Sequence, residues 1–289
     1  PDSTYGNPLE TSGDAWVLPA GTYYLKDDIH IDKTIRIEGE VTICLNGHNF
    51  CVDKEVAAFK IVQMNSGSKG GKLKLTDCQE RCGEIKSNTT GDRGNGVTII
   101  YGTFDMYGGK IKGCFRGVFV DSSSTFNMYG GEISENEANG VTLNNSSTAR
   151  FNMYGGEISS CTRGVHVTCT DDSLRSGAGK FEMDGGTITG NEIGVSLFTR
   201  YNSTEYSTNN ITKSSKFTMT GGEIKNNTDI GVDMGYNKQQ NFHAGGELTV
   251  GGTAKIQDNS NKNAYGNVYF RYGEIKLAST PFTEGAYIG

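Results

Sequence analysis

Residues 104–111 read Phe-Asp-Met-Tyr-Gly-Gly-Lys-Ile, and close copies of this segment return four more times along the chain. The later copies begin at Phe126, Phe151, Phe181 and Phe217, and weaker copies begin at Leu73 and Leu248. A Gly-Val pair follows every strong copy, so that 14 or 15 residues separate the repeat Phe from that Val. Repetition at such a short period indicates a solenoid, in which each repeat packs against its neighbours.

The connections between the repeats vary in length. From the Val of one copy to the first apolar residue of the next, the chain runs 8, 10, 16, 22 and 16 residues. A unit of constant length that alternates with variable connections predicts a packed interior built from the repeats and surface loops built from the connections.

The residues within one repeat alternate as they do in a β-strand. Phe104 and Met106 alternate with polar neighbours, Gly108-Gly109 predicts a bend, and residues 110–112 and 118–120 predict two further short strands. The paired glycines and β-branched residues argue against an α-helix, and a propeller blade needs about twice the residues per repeat. The repeat therefore predicts an all-β chain folded as a parallel β-helix of roughly nine or ten coils, about 45 Å long.

The repeats also suggest how the chain is organised. We expect residues 1–289 to form one β-helix domain, with an N-terminal cap and irregular first coils in residues 1–50 and regular coils in residues 73–270. Pro1-Asp-Ser-Thr4 is not the start of a signal peptide, and the chain stops in an apolar pattern at Gly289. We therefore expect a piece of a longer protein.

Composition excludes several classes of protein. With 41 Gly but only 4 Pro and no Gly-X-Y period, the chain is not collagen, and its 10% aromatic content argues against disorder. No run of 18 apolar residues is present, so no membrane insertion is expected. The excess of 33 acidic over 27 basic residues argues against nucleic acid as a partner.

The position three residues after each repeat Ile is predicted to form a ladder of turn residues. Asn and Cys occupy it as Asn88, Cys114, Asn136, Cys161, Asn191, Asn227 and Asn259. We expect the amides to stack and to satisfy the backbone of their own and neighbouring turns. Cys114 and Cys161 would lie two coils apart, about 9.6 Å, which is too far for a disulfide, so they are predicted to be buried thiols.

The seven cysteines are an odd number, so at least one thiol has no partner within the chain. Cys78 and Cys82 flank residues 79–81 and are close enough in sequence to bond to each other or to form half of a zinc site. No second Cys or His pair lies nearby in the sequence, so we predict neither a metal nor a cofactor.

The chain resembles a known group of proteins. The Phe-Asn-Met-Tyr-Gly-Gly-Glu-Ile-Ser repeats, together with Gly21-Thr-Tyr-Tyr-Leu25 and Val41-Thr-Ile-Cys-Leu-Asn-Gly-His48, resemble right-handed β-helix regions in large surface proteins of Gram-positive gut bacteria. The resemblance implies a right-handed, single-stranded β-helix in an adhesin-like protein that is secreted or attached to the cell wall. It carries no catalytic residues with it.

The motifs of β-helix polygalacturonases are missing. Asp171-Asp172 is the only Asp-Asp pair, Gly47-His48 continues with Asn49, and Arg36-Ile37 continues with Glu38. These fragments also stand in the wrong order along the chain, so no catalytic role is assigned.

Two outward columns of the predicted coils invite a function. Thr98, Phe119, Thr142, His166, Ser196 and Asp233 follow one another in the first column, but Ser196 lies between His166 and Asp233, whereas a triad needs the base in the middle. We expect a solvated sheet face there. In the second column, Tyr107, Tyr129 and Tyr154 form either an exposed stack that stabilises the coils or a platform on which sugar rings pack.

The three longest connections, residues 168–180, 198–216 and 235–247, are predicted to leave one corner of consecutive coils and to cluster in space. Carboxylates, a His and aromatic rings together suit carbohydrate recognition. The predicted ligand-binding residues are Asp171, Asp172, Arg200, Tyr201, Glu205, Tyr206, Tyr236 and His243, and the same connections hold Arg175 and Phe242. Two alternatives stay open: a glycoside hydrolase or lyase with a pair of carboxylates, and a structural spacer without a ligand. The expected partner is a glycan or a surface polysaccharide, bound by a monomeric module of a larger multidomain protein.

Overall fold

The computed structural model describes residues 10–12, 14–63, 69–79, 82–89, 94–144, 148–169, 179–199, 214–235, 246–260, 266–270 and 273–289. At residues 10–12 and 169 it describes the backbone alone. The elements in these ranges are β-strands, and they form three sheets.

Each sheet takes every third strand of the chain. Sheet 1 contains β1 (Glu10–Ser12), β2 (Ala15–Leu18), β5 (Thr34–Ile37), β8 (Phe59–Val62), β11 (Val97–Ile100), β14 (Arg116–Asp121), β17 (Asn139–Leu143), β20 (Arg163–Cys169), β23 (Ile193–Thr199), β26 (Ile230–Met234) and β29 (Val268–Phe270). Sheet 2 contains β3 (Gly21–Tyr24), β6 (Glu40–Cys44), β9 (Lys72–Thr76), β12 (Thr103–Met106), β15 (Thr125–Met128), β18 (Arg150–Met153), β21 (Lys180–Met183), β24 (Ser215–Met219), β27 (Gly246–Gly252) and β30 (Gly273–Phe282). Sheet 3 contains β4 (Ile29–Ile31), β7 (Phe50–Val52), β10 (Glu84–Ser87), β13 (Lys110–Lys112), β16 (Glu132–Ser134), β19 (Glu157–Ser159), β22 (Thr187–Thr189), β25 (Glu223–Lys225), β28 (Lys255–Gln257) and β31 (Tyr287–Ile288).

The chain winds as a right-handed parallel β-helix of about ten coils, as the repeats predicted. Neighbouring coils pair in parallel in all three sheets, and the short strand β1 adds an antiparallel partner to β2. The register pairs equivalent repeat positions, for example Phe126 with Phe151 and Ile133 with Ile158. The strands of residues 15–52 already join these three sheets, so the coils begin within the segment expected to hold a cap.

The repeat Phe residues form a buried column on the inner side of sheet 2. Phe104, Phe126, Phe151, Phe181 and Phe217 are fully buried, and successive ring centroids lie 5.0, 4.8, 4.7 and 4.5 Å apart with nearly parallel planes. The repeat Met residues are fully buried beside them. The predicted core column is therefore confirmed.

The second glycine of each Gly-Gly pair is needed for the coil to close. At Gly156 the backbone has φ +85°, a region that side chains disfavour. A Cβ atom there would lie 2.6 Å from the methyl carbon of Met128 and 2.7 Å from the carbonyl oxygen of Gly131. The glycine thus allows the turn and the close packing of the preceding coil.

The predicted ladder of turn residues forms, with one exception. Asn191 donates to the side chain of Asn227 at 3.0 Å, and Asn227 donates to that of Asn259 at 2.8 Å. Cys114 and Cys161 are buried thiols, as predicted. Asn88 departs from the ladder: it is exposed and donates to the carboxylate of Asp53 at 2.8 Å, because the coil before it offers an acidic partner at that turn.

The long connections share one corner of the helix. β20, β23 and β26 are adjacent in sheet 1, and the strands that follow them, β21, β24 and β27, are adjacent in sheet 2. The connections between them therefore leave neighbouring strands and enter neighbouring strands, as the spacing predicted.

Candidate functional site

The predicted ligand-binding residues lie outside the part of the chain that the structure describes. This holds for Asp171, Asp172, Arg200, Tyr201, Glu205, Tyr206, Tyr236 and His243, and also for Arg175 and Phe242. Their grouping stays a prediction that rests on the shared corner of their connections. The described strands that lead into this corner belong to sheet 1.

The outer faces of sheets 2 and 3 carry charged side chains that pair with one another. On sheet 3, Lys110 contacts Glu132 at 2.8 Å, and Lys255 contacts Glu223 at 3.2 Å. On sheet 2, Lys276 contacts Glu247 at 2.9 Å. Such pairs are typical of a solvated surface and contribute little energy each.

The outer face of sheet 1 differs from the other two. Its column of outward residues was expected to be solvated, but Thr142, Ser196 and Asp233 are only 4, 5 and 3% exposed, and Thr98 is also buried. That expectation is therefore wrong. Thr142 lies between Phe119 and His166 on the adjacent strands, and such bulky neighbours about 4.8 Å away shield a small side chain from water.

The buried residues of this column have half-buried neighbours around them. Arg116, Phe119, Arg163, His166 and Phe198 are half-buried, whereas Asn139, Thr142, Ser196 and Asp233 are buried. We call these nine residues the sheet 1 patch. They lie on five adjacent strands from β14 to β26, and the last three of those strands lead into the corner of the long connections. The arrangement, with a polar floor and a rim of arginines and aromatic rings, suits a shallow binding site.

Three buried polar atoms of the sheet 1 patch lack a hydrogen-bond partner among the described residues. They are Nε of Arg116, Oδ1 of Asn139 and Nδ1 of His166. Arg116 and Asn139 pair across adjacent strands, Asn139 pairs with Arg163, and His166 lies on the same strand as Arg163. Buried polar atoms are almost always paired, so three such atoms within one patch distinguish it from the rest of the described residues.

Burial lowers the pKa of two side chains in the patch, His166 and Arg116. Loss of solvent, together with the charges of Arg163 and Arg116, lowers the pKa of His166 to about 3, while a hydrogen bond with the Ser196 backbone opposes this shift. His166 is therefore neutral at physiological pH. Burial also lowers the pKa of Arg116, whose guanidinium carbon lies 4.6 Å from the ring centroid of Phe115 and 5.2 Å from that of Phe119.

The strand register excludes a triad in the patch. His166 pairs with Ser196, and Ser196 pairs with Asp233, so two strand spacings, about 9.6 Å, separate His166 from Asp233. The acid cannot orient the base at that distance. A His with a pKa of about 3 is also a poor general base near neutral pH.

The same outward column continues toward the N-terminal coils. Arg36 and Lys60 pair there across β5 and β8. They help to line a depression of about 380 Å³ together with Asp14, Ala15, Thr34 and Val62. The outer face of sheet 1 thus offers polar and basic side chains along many coils.

The tyrosine column forms a stack whose ring faces cover one another. Tyr107, Tyr129 and Tyr154 are 42–46% exposed, and their ring centroids lie 4.6 and 5.1 Å apart at 13–14° between planes. The ammonium of Lys74 lies 4.6 Å from the ring centroid of Tyr107. Only the ring edges face outward along this stack, which favours the stabilising alternative over the sugar platform.

A second polar cluster lies at the N-terminal end of sheet 2. The sulfur atoms of Cys44 and Cys78 and a carboxylate oxygen of Asp77 could each bind a metal ion, and all lie within 4.8 Å of one another. The two sulfur atoms are 2.8 Å apart, and the hydrogen bond with Cys44 raises the pKa of Cys78. The sequence left open a local pair of Cys78 with Cys82, and the structure places Cys44 against Cys78.

Comparison of the chain with protein-family models, with curated proteins and with solved structures finds no match. The described part of the chain holds no helix long and apolar enough to span a membrane. The structure shows that the chain folds as a parallel β-helix, and the comparisons assign it to no family.

Proposed function

We propose that this chain is an extracellular β-helix module that binds glycans on the outer face of sheet 1, at the corner of the long connections. The observation that carries the proposal is the sheet 1 patch itself, in which a buried polar floor is edged by half-buried arginines and phenylalanine rings beside the corner of the long connections. Sugar hydroxyls both donate and accept hydrogen bonds, so a glycan on this face can accept from the guanidinium N–H groups of the half-buried Arg116 and Arg163.

The shape and composition of the patch support a glycan over a small apolar ligand. Phe119 and Phe198 are half-buried at its rim and offer apolar surface to the C–H groups of a sugar ring. Sheet 1 repeats at about 4.8 Å per coil, so an extended polysaccharide has a continuous track from the patch toward Arg36 and Lys60. The eight residues predicted from the sequence would add contacts from the connections.

The resemblance of the repeats to surface proteins of Gram-positive gut bacteria supports an adhesin-like protein, secreted or attached to the cell wall. In such a setting one module needs only weak affinity, with a dissociation constant near the millimolar range. Repetition of modules on a cell surface would then supply avidity.

The proposal is tested with purified protein on an array of neutral and acidic glycans, with released reducing ends measured over several days. A binding module gives retention on defined glycans without released sugar. Released sugar would make the chain a hydrolase or lyase, and absence of both would make it a spacer. Either of these results contradicts the proposal.

A second experiment tests whether the long connections contribute to glycan binding in addition to sheet 1. We expect the triple substitution of Tyr201, Tyr206 and Tyr236 by Ala to reduce glycan retention while the melting temperature changes little. Tyr107→Ala, which alters the exposed stack on sheet 2, is the matched control and should retain the glycan. Full retention by the triple variant would remove the connections from the proposed site.

A further inference from the structure

The sulfur atoms of Cys44 and Cys78 lie 2.8 Å apart, on adjacent coils. Cys44 is the last residue of β6 and pairs with Thr76, the last residue of β9, so Cys78 stands two residues beyond the strand partner of Cys44. This separation is only about 0.8 Å longer than an S–S bond of about 2.05 Å. We propose that Cys44 and Cys78 form a disulfide bond that joins the second and third coils of the helix.

Hydrogen bonds hold the two sulfur-bearing turns against each other. The carboxylate of Asp77 accepts from the backbone N–H of Gly47 at 3.1 Å, of Gln79 at 3.3 Å and, at a short distance, of Gly83. The side chain of Gln79 donates to Asn46 at 2.9 Å. Because both turns are already fixed, the bond forms with little further loss of conformational entropy.

The pair is accessible to an oxidant, in contrast to the buried thiols. Cys78 is exposed and Cys44 is half-buried, whereas Cys51, Cys114 and Cys161 are buried. The thiolate of Cys78 attacks a small-molecule disulfide such as oxidised glutathione and releases one thiol. The sulfur of Cys44 then attacks the mixed disulfide and releases the second. Two thiol protons leave the protein, and two electrons pass to the oxidant.

The geometry favours a disulfide over a metal site. Two thiolates bound to zinc at about 2.3 Å in a tetrahedron lie about 3.8 Å apart, farther than these sulfurs. Both carboxylate oxygens of Asp77 already accept backbone hydrogen bonds, which leaves this third ligand engaged.

The bond would fasten the N-terminal coils of the solenoid. Coils at the end of a solenoid have a neighbour on one side only and open most readily. A cross-link between residues 44 and 78 closes a loop across the second and third coils and restricts the unfolded chain. It requires an oxidising compartment, which agrees with an extracellular module but does not depend on glycan binding.

The proposal is tested on the whole chain, refolded or incubated with oxidised and reduced glutathione. We expect the intact mass to fall by two hydrogens, and proteolysis without reductant to yield one cross-linked peptide pair that contains Cys44 and Cys78. Reductant should separate the pair and lower the melting temperature by several degrees. Differential alkylation of the unsubstituted chain gives the same answer if a variant fails to fold.

Two variants serve as matched controls. Cys44→Ser should lose both the cross-linked peptide and the effect of reductant on the melting temperature, whereas Cys82→Ser, which removes the other exposed thiol among the described side chains, should keep both. The proposal is overturned by a peptide that links Cys78 to Cys82, by equal alkylation of Cys44 and Cys78 before and after oxidation, or by stoichiometric zinc that resists removal and keeps the pair reduced.

Discussion

Phe151 lies in the middle of the buried aromatic column, with ring centroids 4.8 Å from Phe126 and 4.7 Å from Phe181. Truncation leaves a cavity that rings on both sides cannot fill. We expect Phe151→Ala to lower the free energy of unfolding by about 3–5 kcal/mol. Urea unfolding followed by circular dichroism measures this loss.

The control for Phe151→Ala is the substitution of an exposed ring, Tyr129, in the neighbouring coil. Tyr129→Ala removes a partner from the tyrosine stack at 42% exposure, and we expect it to cost about 1 kcal/mol or less. Equal losses from the two substitutions would contradict the assignment of inner and outer faces.

His166 makes the stability of the fold depend on pH. Its pKa is about 3 in the folded chain, below the value of about 6.5 expected for an unfolded one. Between these values the unfolded chain binds a proton that the folded chain does not, so stability falls as the pH falls. From about pH 6.5 to about pH 5 we expect a loss of up to about 2 kcal/mol.

Substitution of the imidazole separates this effect from other titrations. His166→Phe keeps an aromatic ring beside Phe119 and Phe198 and should flatten the pH dependence above about pH 5, where most carboxylates stay ionised. Urea midpoints at both pH values measure it. The same slope in the variant and in the unsubstituted chain would show that His166 is not desolvated.

At the scale of elements, the turn ladder predicts which thiols react. Cys114 is 1% exposed and Cys161 5%, and burial raises the pKa of Cys161 to about 11. Cys161 therefore forms little of the thiolate that alkylating reagents attack, and burial keeps the reagent from both sulfur atoms. We expect iodoacetamide to modify Cys82 in the folded chain and to reach Cys114 and Cys161 only in denaturant, as measured by peptide mass spectrometry. Modification of either ladder thiol at the rate of Cys82 would place it outside the turn core.

The strands and their register could be predicted because the same pattern of residues returns in each repeat. The spacing from Phe126 to Phe151 determines which positions pair, and the alternation within one strand determines which side chains point inward. Neither the repeat spacing nor the alternation within a strand indicates which side chains surround an outward residue. The burial of Thr142 and Ser196 follows from the size of their neighbours on adjacent strands, and those neighbours are more than 20 residues away in the sequence.

The contact of Cys44 with Cys78 escaped prediction for a related reason. It joins the coil of the weak copy at Leu73 to an earlier coil that lacks the Phe-Met-Gly-Gly signature, so no repeat spacing related Cys44 to Cys78. The exposure of Asn88 likewise depends on one local partner, Asp53, rather than on the repeat. Irregular positions of a solenoid are determined by individual contacts.

At the scale of the whole molecule, the three sheets present different outer faces. Sheets 2 and 3 carry paired charges, and sheet 1 carries the patch beside the corner from which the long connections leave. Among the three sheets, we assign binding to the outer face of sheet 1. Two arginines allow this to be tested, since Arg163 belongs to the patch on β20 and Arg150 lies on β18 of sheet 2, in the preceding coil.

The most direct test is a calorimetric titration of the best glycan from the array into the unsubstituted chain, Arg163→Ala and Arg150→Ala. We predict that Arg163→Ala weakens binding about tenfold, through loss of a charged hydrogen bond worth about 1.5–3 kcal/mol, while Arg150→Ala binds as the unsubstituted chain does. Urea midpoints must confirm that both variants are folded. Equal affinity of all three proteins, or a loss confined to Arg150→Ala, would contradict a glycan site on the outer face of sheet 1.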